Sequence, residues 1–388
     1  MRSNIISFSI ISSGGDTMAV KLVLLGGFLG AGKTTTLIQT AKKLQKRGKR
    51  VAVVTNDQGK ELIDTELVQN NGLDAEEVTG GCFCCQFEDL YKNLTLLLKE
   101  KQPDVILAEA VGSCTDLAAT VIQPIKKYYA DEFKTAPLTI VVDPTRLMDN
   151  LDYKTDGKNR IFSPSVNYIF EKQLAEADII ALNKLDKFQH EEINGLMKFL
   201  KQRYPQAEIR AISAERGDFL EELIDLWLSD TVGGDKVLDI DYDLYAEGEA
   251  QLAWMNILGD LTHLENNTFD PKEWVNSFLE TLDGHFLREK MAIAHLKIQL
   301  SQSNGYVKAS MTKTGEAPIF TITDGSPNRQ FRVLLNIRIE ANPSMLDLIV
   351  ADAIESTNQQ YGTNWRSSYH ECFSPKPPVP THRLTPQY

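Results

Sequence analysis

The chain has 388 residues, 42% of them hydrophobic and 24% charged, with a formal net charge of −12 at pH 7. That length exceeds one average domain, and the apolar share builds an ordinary globular core that needs no disulfide or metal to hold it. The acidic balance, with no dense Lys/Arg block, argues against a nucleic-acid surface, and no apolar run is long enough to cross a bilayer. Of the five cysteines, Cys82, Cys84 and Cys85 lie together while Cys114 and Cys372 stand alone. This is not a secreted disulfide framework; it points to a reducing, cytoplasmic setting and a thiol-based site.

Residues 1–17 contain a short apolar stretch interrupted by serine, with no small-residue cleavage pattern after it, and Met18 directly precedes the first strand. They are expected to be a disordered leader. The run Leu22-Val23-Leu24-Leu25 then reads as a buried strand, and residues 36–44 have helical periodicity. Between them lies Gly27-Phe28-Leu29-Gly30-Ala31-Gly32-Lys33-Thr34. Strand, glycine-rich turn and helix in that order are the context of a phosphate-binding loop. Gly27, Gly30, Ala31 and Gly32 would turn backbone N–H groups onto phosphate oxygens at a helix N-terminus, together with Thr35. Lys33 would reach the β- and γ-phosphates, and the Thr34 hydroxyl would ligate Mg²⁺.

A helix over residues 35–45 should end at Lys46-Arg47-Gly48, followed by a buried strand, Val51-Ala52-Val53-Val54-Thr55. Asp57, at the carboxyl end of that strand, is a candidate ligand for Mg²⁺ or a transition metal, or a plain turn residue. Residues 60–81 read as a polar connection ahead of Cys82-Phe83-Cys84-Cys85, and residues 88–99 as a helix with a leucine face. A further buried strand, Val105-Ile106-Leu107-Ala108, ends in Glu109-Ala110-Val111-Gly112. Glu109 is placed to act on Mg²⁺ or the attacking water, and Gly112 to let the backbone approach the γ-phosphate. Strands are expected at 138–142 and 178–182, an exposed excursion at 149–165, and a helix at 171–177.

The second strand of that pair leads into Asn183-Lys184-Leu185-Asp186. Asp186 accepts from guanine N1 and N2, the Asn183 amide bonds the base, and the Lys184 stem covers its face, so ATP should be rejected. A strand over 209–214 ends in Ser213 and Ala214, whose backbone N–H groups would meet guanine O6. A helix at 218–228 and Gly233-Gly234 close the unit. Beyond it, residues 239–249 read as extended, and residues 250–264 and 271–282 as helical, with Pro271 at a first-turn position. From His295 the period becomes two, giving strands at 295–300, 307–311, 319–322 and 331–335, then a helix at 345–356. The proline-rich tail reads as an extended arm. Its His370, Cys372 and His382 are weaker metal candidates than a solvated tail is an explanation.

The order of these signatures resembles the CobW family of P-loop GTPases, relatives of the nickel-enzyme chaperones UreG and HypB. The matching residues are the Gly27–Thr34 loop, Gly81-Cys82-Phe83-Cys84-Cys85 with Asp89-Leu90, Glu109 through Gly112, and Asn183 through Asp186. The resemblance implies GTP hydrolysis coupled to handling a transition metal, zinc or cobalt, for delivery to a client metalloprotein. Two departures stand out. The family's usual Asn-Glu-x-Gly-Glu run is here Asn56-Asp57-Gln58-Gly59-Lys60, with Glu61 and Asp64 nearby, and there is no histidine-rich segment.

The expected fold is α/β: a P-loop NTPase with a mostly parallel sheet flanked by helices, plus a smaller C-terminal α+β domain. The expected divisions are a leader to 17, a GTP-binding domain over 18–232, an acidic and helical connector over 233–290, the C-terminal domain over 291–356 and the tail over 357–388. The leading functional expectation is a GTP-hydrolysing metallochaperone with catalytic Lys33, Thr34 and Glu109. Its Cys82, Cys84 and Cys85 hold Zn²⁺ or Co²⁺, with a fourth ligand from Asp57, Glu61 or water. Its partners are GTP and a client, with a homodimer allowed and neither nucleic acid nor membrane. The alternatives are a GTPase switch without metal cargo, a P-loop kinase, and a metal buffer. With no arginine finger or water-orienting glutamine in view, intrinsic turnover should be slow.

Overall fold

The computed structural model describes residues 19–57, 73–79, 81–151, 153 and 160–386. Strands β1 (Val20–Gly26), β2 (Val51–Asp57), β3 (Asp74–Thr79), β4 (Val105–Glu109), β5 (Phe133–Thr135), β6 (Thr139–Val142), β7 (Ile179–Leu182) and β8 (Glu208–Ala211) form one parallel sheet. Its order is β3-β2-β4-β1-β6-β7-β8, with β5 also pairing β1. The inner strands β1, β4, β6 and β7 are near-continuous apolar runs because both faces are covered. Val23 and Leu25 of β1 pack with Leu37, Ala41 and Leu44 of helix α1 (Lys33–Lys46) and with Trp227 of a later helix. Leu22 and Leu24, pointing the other way, share a core with Leu90, Leu94 and Leu97 of α2 (Phe87–Lys101). This two-sided burial places β1 and β4 at the centre, so their carboxyl ends open onto the crevice where open α/β sheets bind ligands.

The remaining helices of this part are α3 (Gln123–Tyr128), α4 (Pro144–Asn150), α5 (Pro164–Glu176), α6 (His190–Arg203), α7 (Leu220–Leu228) and α8 (Tyr242–Ala250). Strand β3 corrects the sequence expectation of a polar connection up to residue 81. It is a sheet edge, and its Asp-Ala-Glu-Glu run suits an edge that must not recruit further strands. Helix α5 begins at Pro164, with Ser163 Oγ accepting from the Val166 N–H at its N-cap, well before the expected residue 171. Helix α8 likewise replaces the extended stretch expected at 239–249; Asp241 caps it by accepting from the N–H groups of Asp243 and Leu244.

The second sheet is antiparallel, in the order β12-β11-β10-β13-β9-β14. Its strands are β9 (Leu252–His263), β10 (Ala292–Gln302), β11 (Gly305–Met311), β12 (Ile319–Ile322), β13 (Gln330–Glu340) and β14 (Thr363–Phe373). Helices α9 (Pro271–Arg288) and α10 (Pro343–Tyr361) cover one face through Trp274, Phe278, Phe286, Leu346 and Val350. The helix expected over 250–264 is therefore β9. Its Ala253, Met255 and Ile257 belong to the core under α9, while Leu252 and Trp254 pack into the core of the first sheet. A strand buried on both faces loses its period of two and imitates a helix in sequence. Part of the tail, expected as an arm, is edge strand β14, paired with β9.

The two sheets meet around Arg146. Its guanidinium is buried and donates to the carbonyls of Ile293 (2.8 Å), Ala294 (2.9 Å) and Thr312, with its plane over the Phe162 ring. No helix among the described residues is long and apolar enough to cross a membrane.

Candidate functional site

The loop between β1 and α1 keeps its shape by backbone conformation. Gly30 and Gly32 have φ of +77° and +93°, and a Cβ on Gly32 would run into the Asn183 amide. Lys33 Nζ folds back to donate to the Gly27 carbonyl at 2.9 Å, and Thr34 Oγ1 donates to Glu109 Oε1 at 3.0 Å. The sequence-predicted pair Thr34 and Glu109 is thus brought into direct contact across adjacent strands β1 and β4.

A cavity of about 320 Å³ runs from this loop to the β7 and β8 ends. It is lined by Gly30, Gly32, Lys33, Thr34, Thr35, Glu109, Gly112, Asn183, Lys184, Asp186 and Ala214, so the two sequence signatures share one space. Lys184, at φ +60°, sends its ammonium to Asp143. Burial pushes the Asp143 carboxyl up, but the Lys184 charge and hydrogen bond more than offset this and leave it below the ordinary range. Asp186 Oδ1 accepts from the Ser213 hydroxyl at 2.5 Å, and that hydroxyl oxygen accepts from the Arg216 N–H.

Two expectations shift. Asn183 splices the site internally: Nδ2 donates to the Ala31 carbonyl at 2.9 Å, and Oδ1 accepts from the Ala214 N–H at 2.9 Å. One N–H and one lone pair of its amide remain for a base. The Ala214 N–H, expected at guanine O6, is committed to Asn183, and the Ser213 N–H donates to the Asp218 carbonyl. The 213–218 loop closes on itself through the Ser213–Asp218 bond, and Asn183 takes the Ala214 donor, so neither faces outward.

Sequence reasoning missed the cavity's second wall. Lys297, Lys308, Phe320 and Arg338 come from the antiparallel sheet, far along the chain from the last nucleotide signature. Only the alternation of basic and apolar residues along those strands hinted that one face was not simply solvated.

The cysteines form a compact group. The Cys82 sulfur lies 2.7 Å from that of Cys84 and 3.4 Å from that of Cys85, and Cys84 and Cys85 are 3.7 Å apart. The turn that achieves this is made by the N–H groups of Cys85 and Gln86 donating to the Cys82 carbonyl. The Asn56 side chain pins it, accepting from the Phe83 N–H and donating to the Gly81 carbonyl. Cys114, which stood alone in the sequence, joins them: the sulfurs of Cys82, Cys84 and Cys114 all lie within 4.8 Å of one another, and all three residues are buried. Thiol hydrogen bonds from Cys114, Cys84 and Cys85 hold Cys82 well below the ordinary thiol range, while the same network pushes Cys84 up and burial pushes Cys114 up. Sulfur-rich and buried, the group fits a thiophilic ion.

Of the other proposed ligands, the side chain of Asp57 lies outside the described residues, as do Glu61 and Asp64. His370 pairs with Asp347, the Cys372 thiol donates to the Pro343 carbonyl, and His382 stacks edge-on against Phe87, so the tail residues do not converge. Instead the tail lies across the cysteine turn. The Thr381 N–H donates to the Cys84 carbonyl at 2.9 Å, the Val379 N–H donates to Cys85 Sγ at 3.3 Å, and Arg383 donates to Asp116 at 2.8 Å.

Beneath the segment after Gly112, buried Glu176 accepts from the Thr115 hydroxyl and the Ala118 N–H. Burial, outweighing those bonds, pushes its carboxyl up to about 8. The folded protein keeps a proton there that the unfolded chain releases near the ordinary 4.5. Stability should therefore fall as pH rises between those values, by at most about 1.4 kcal/mol per pH unit. Glu176→Gln should flatten the dependence of the unfolding midpoint between about pH 6 and pH 8; an unchanged slope would assign the proton elsewhere.

Residues 21–210 match the family model described as CobW/HypB/UreG, nucleotide-binding domain. Among curated proteins, the zinc chaperone YeiR of Escherichia coli is 29% identical over 52% of this chain and 57% of its own length. The zinc chaperone CobW of a Sinorhizobium species is 31% identical over 43% and 51%. The zinc-regulated GTPase metalloprotein activator 1 of Dictyostelium discoideum is 26% identical over 48% and 44%. In each case the match spans about half of the relative's length.

Proposed function

We propose, from the match of residues 21–210 to the CobW/HypB/UreG nucleotide-binding domain family, that the protein is a GTP-hydrolysing metallochaperone. The observation that carries the reading is the adjacency of two sites. A cavity joins Lys33, Thr34 and Glu109 at one end to Asn183, Lys184 and Asp186 at the other. A buried thiol cluster sits beside it, held through Asn56 of β2 and through the segment that follows Gly112.

In this reading GTP lies with its base against Asp186 and its phosphates over the loop Gly27–Thr34. Thr34 would hold a Mg²⁺ ion, whose charge would offset that of the phosphates. Lys33 leaves the Gly27 carbonyl for the β- and γ-phosphates, exchanging an ammonium–carbonyl bond for contacts with charged oxygens. Glu109, already bonded to Thr34, orients the hydroxyl and the water near it. Lys297 and Lys308 on the second wall add positive charge where the sequence offered no arginine finger. The metal, zinc by its preference for thiolates, is cargo rather than a catalytic group, and a client metalloprotein receives it.

The test is a chelator competition on reduced protein with and without a non-hydrolysable GTP analogue. We expect about one zinc per chain, and an affinity that the analogue changes by the same factor as zinc changes the affinity for the analogue. Cys84→Ala/Cys85→Ala should lose both effects. Equal zinc affinity in the two proteins would reduce the protein to a GTPase switch without cargo.

A further inference from the structure

We propose that Cys114 supplies a fourth thiolate to the metal centre, so that the ion is enclosed by four sulfurs, one of which rides on the segment carrying Glu109 and Gly112. This rests on the metal reading above and goes beyond it, because that reading needs only the three clustered cysteines and leaves the fourth position to a carboxylate or water.

The geometry is the argument. A tetrahedral zinc with Zn–S bonds of about 2.3 Å sets its sulfurs about 3.8 Å apart. The observed separations of 3.4 and 3.7 Å lie close to that edge, and Cys82, Cys84 and Cys114 all lie within 4.8 Å of one another; that grouping does not include Cys85, so Cys85 and Cys114 must draw together around the ion. The 2.7 Å pair, Cys82 and Cys84, must part by about 1 Å to admit the ion. Cys114 is fully buried, and its backbone is fixed from outside the cluster. Gln173 Nε2 donates to its carbonyl at 2.8 Å and to that of Gly112 at 3.0 Å, and the Thr115 N–H donates to the Tyr245 hydroxyl. A buried cysteine is more often a small apolar filler. Filler, however, has no reason to turn its sulfur toward two others when apolar neighbours surround it.

Four thiolates make a closed site with no open position, the arrangement of zinc centres that retain their metal. Cargo then leaves only when a ligand moves. Cys114 lies two residues beyond Gly112, and Gln173 ties the carbonyls of both, so a shift of Gly112, Cys114 and Gln173 together on losing the γ-phosphate would pull one sulfur off the ion and open a position for an incoming ligand. Each thiol gives its proton to solvent on binding and recovers one on release.

The full-length reduced protein is titrated with Co²⁺ and then with Zn²⁺ against a chromophoric chelator, for wild type, Cys114→Ala, Cys114→Ser and Cys84→Ala/Cys85→Ala. The thiolate-to-cobalt charge-transfer absorption per bound ion should fall by about a quarter in both Cys114 variants. Zinc affinity should fall at least about tenfold, and the shift produced by the GTP analogue should shrink toward none. X-ray absorption on zinc-loaded wild type should count four sulfurs, a result that depends on no variant folding. Three sulfurs there, or Cys114 variants matching wild type while the double variant loses metal, would overturn the proposal and leave the metal reading standing. A double variant that binds like wild type would overturn both.

Discussion

Lys33→Ala should lower kcat/KM for GTP by about 10²–10³-fold, or about 2.7–4 kcal/mol of transition-state stabilisation, as expected for a positioned charge on a transferring phosphoryl group. The ammonium is preset for this role. It waits on the Gly27 and Phe28 carbonyls, bonds of 2.9 and 3.5 Å, and the second is too long to hold it strongly. In the proposed binding mode those contacts exchange for phosphate oxygens. The fold should survive the substitution. The loop takes its shape from Gly30 and Gly32 and from the Asn183 bond to Ala31, none of which involves the lysine side chain. Steady-state hydrolysis with a far-ultraviolet spectrum and thermal melt on the same samples checks both halves. Turnover within about threefold of wild type would remove Lys33 from the chemistry.

The two ends of the cavity were legible in the sequence because each is contiguous. A glycine loop and the Asn183–Asp186 run each carry their geometry in a few adjacent residues, and their strands are pure apolar runs. What sequence could not give was anything created by packing. Cys114 reaches the cysteine group only because β4 lies beside β1 and β2, and Gln173 of α5 holds the segment after it. Lys297 and Lys308 enter the cavity only because Arg146 docks the second sheet onto the first. β9 was misread as a helix for the same reason, since the docking covers its second face and erases the alternation that marks a strand. Even within a legible motif, the expected partners of Asn183 and Ala214 changed. A side chain's type says what it can bond, and the fold decides which of those bonds the protein keeps for itself.

Asp186→Asn should weaken GTP by about 10²–10⁴-fold and raise affinity for xanthosine triphosphate in compensation. A carboxylate accepts from guanine N1–H and N2–H in two charge-assisted bonds, each worth about 1.5–3 kcal/mol. The surroundings fix what the amide would do in its place. The Ser213 hydroxyl oxygen already accepts from the Arg216 N–H, so its proton is committed to Oδ1 of residue 186. In the variant the amide oxygen stays with Ser213, and the NH₂ group turns toward the base. There it opposes the guanine N2–H donor, a repulsive pairing that leaves two buried donors unsatisfied. Xanthine carries a carbonyl at that position, which accepts from the new NH₂, while N1–H uses the remaining lone pair on the amide oxygen. Lys184 should be unaffected, because its ammonium is anchored on buried Asp143 rather than on residue 186. Competition binding with GTP, ATP and xanthosine triphosphate on both proteins decides the matter. Equal ATP and GTP affinities in the wild type, or an Asp186→Asn variant that keeps its preference for GTP, would mean that the base end of the cavity does not read guanine through this carboxylate.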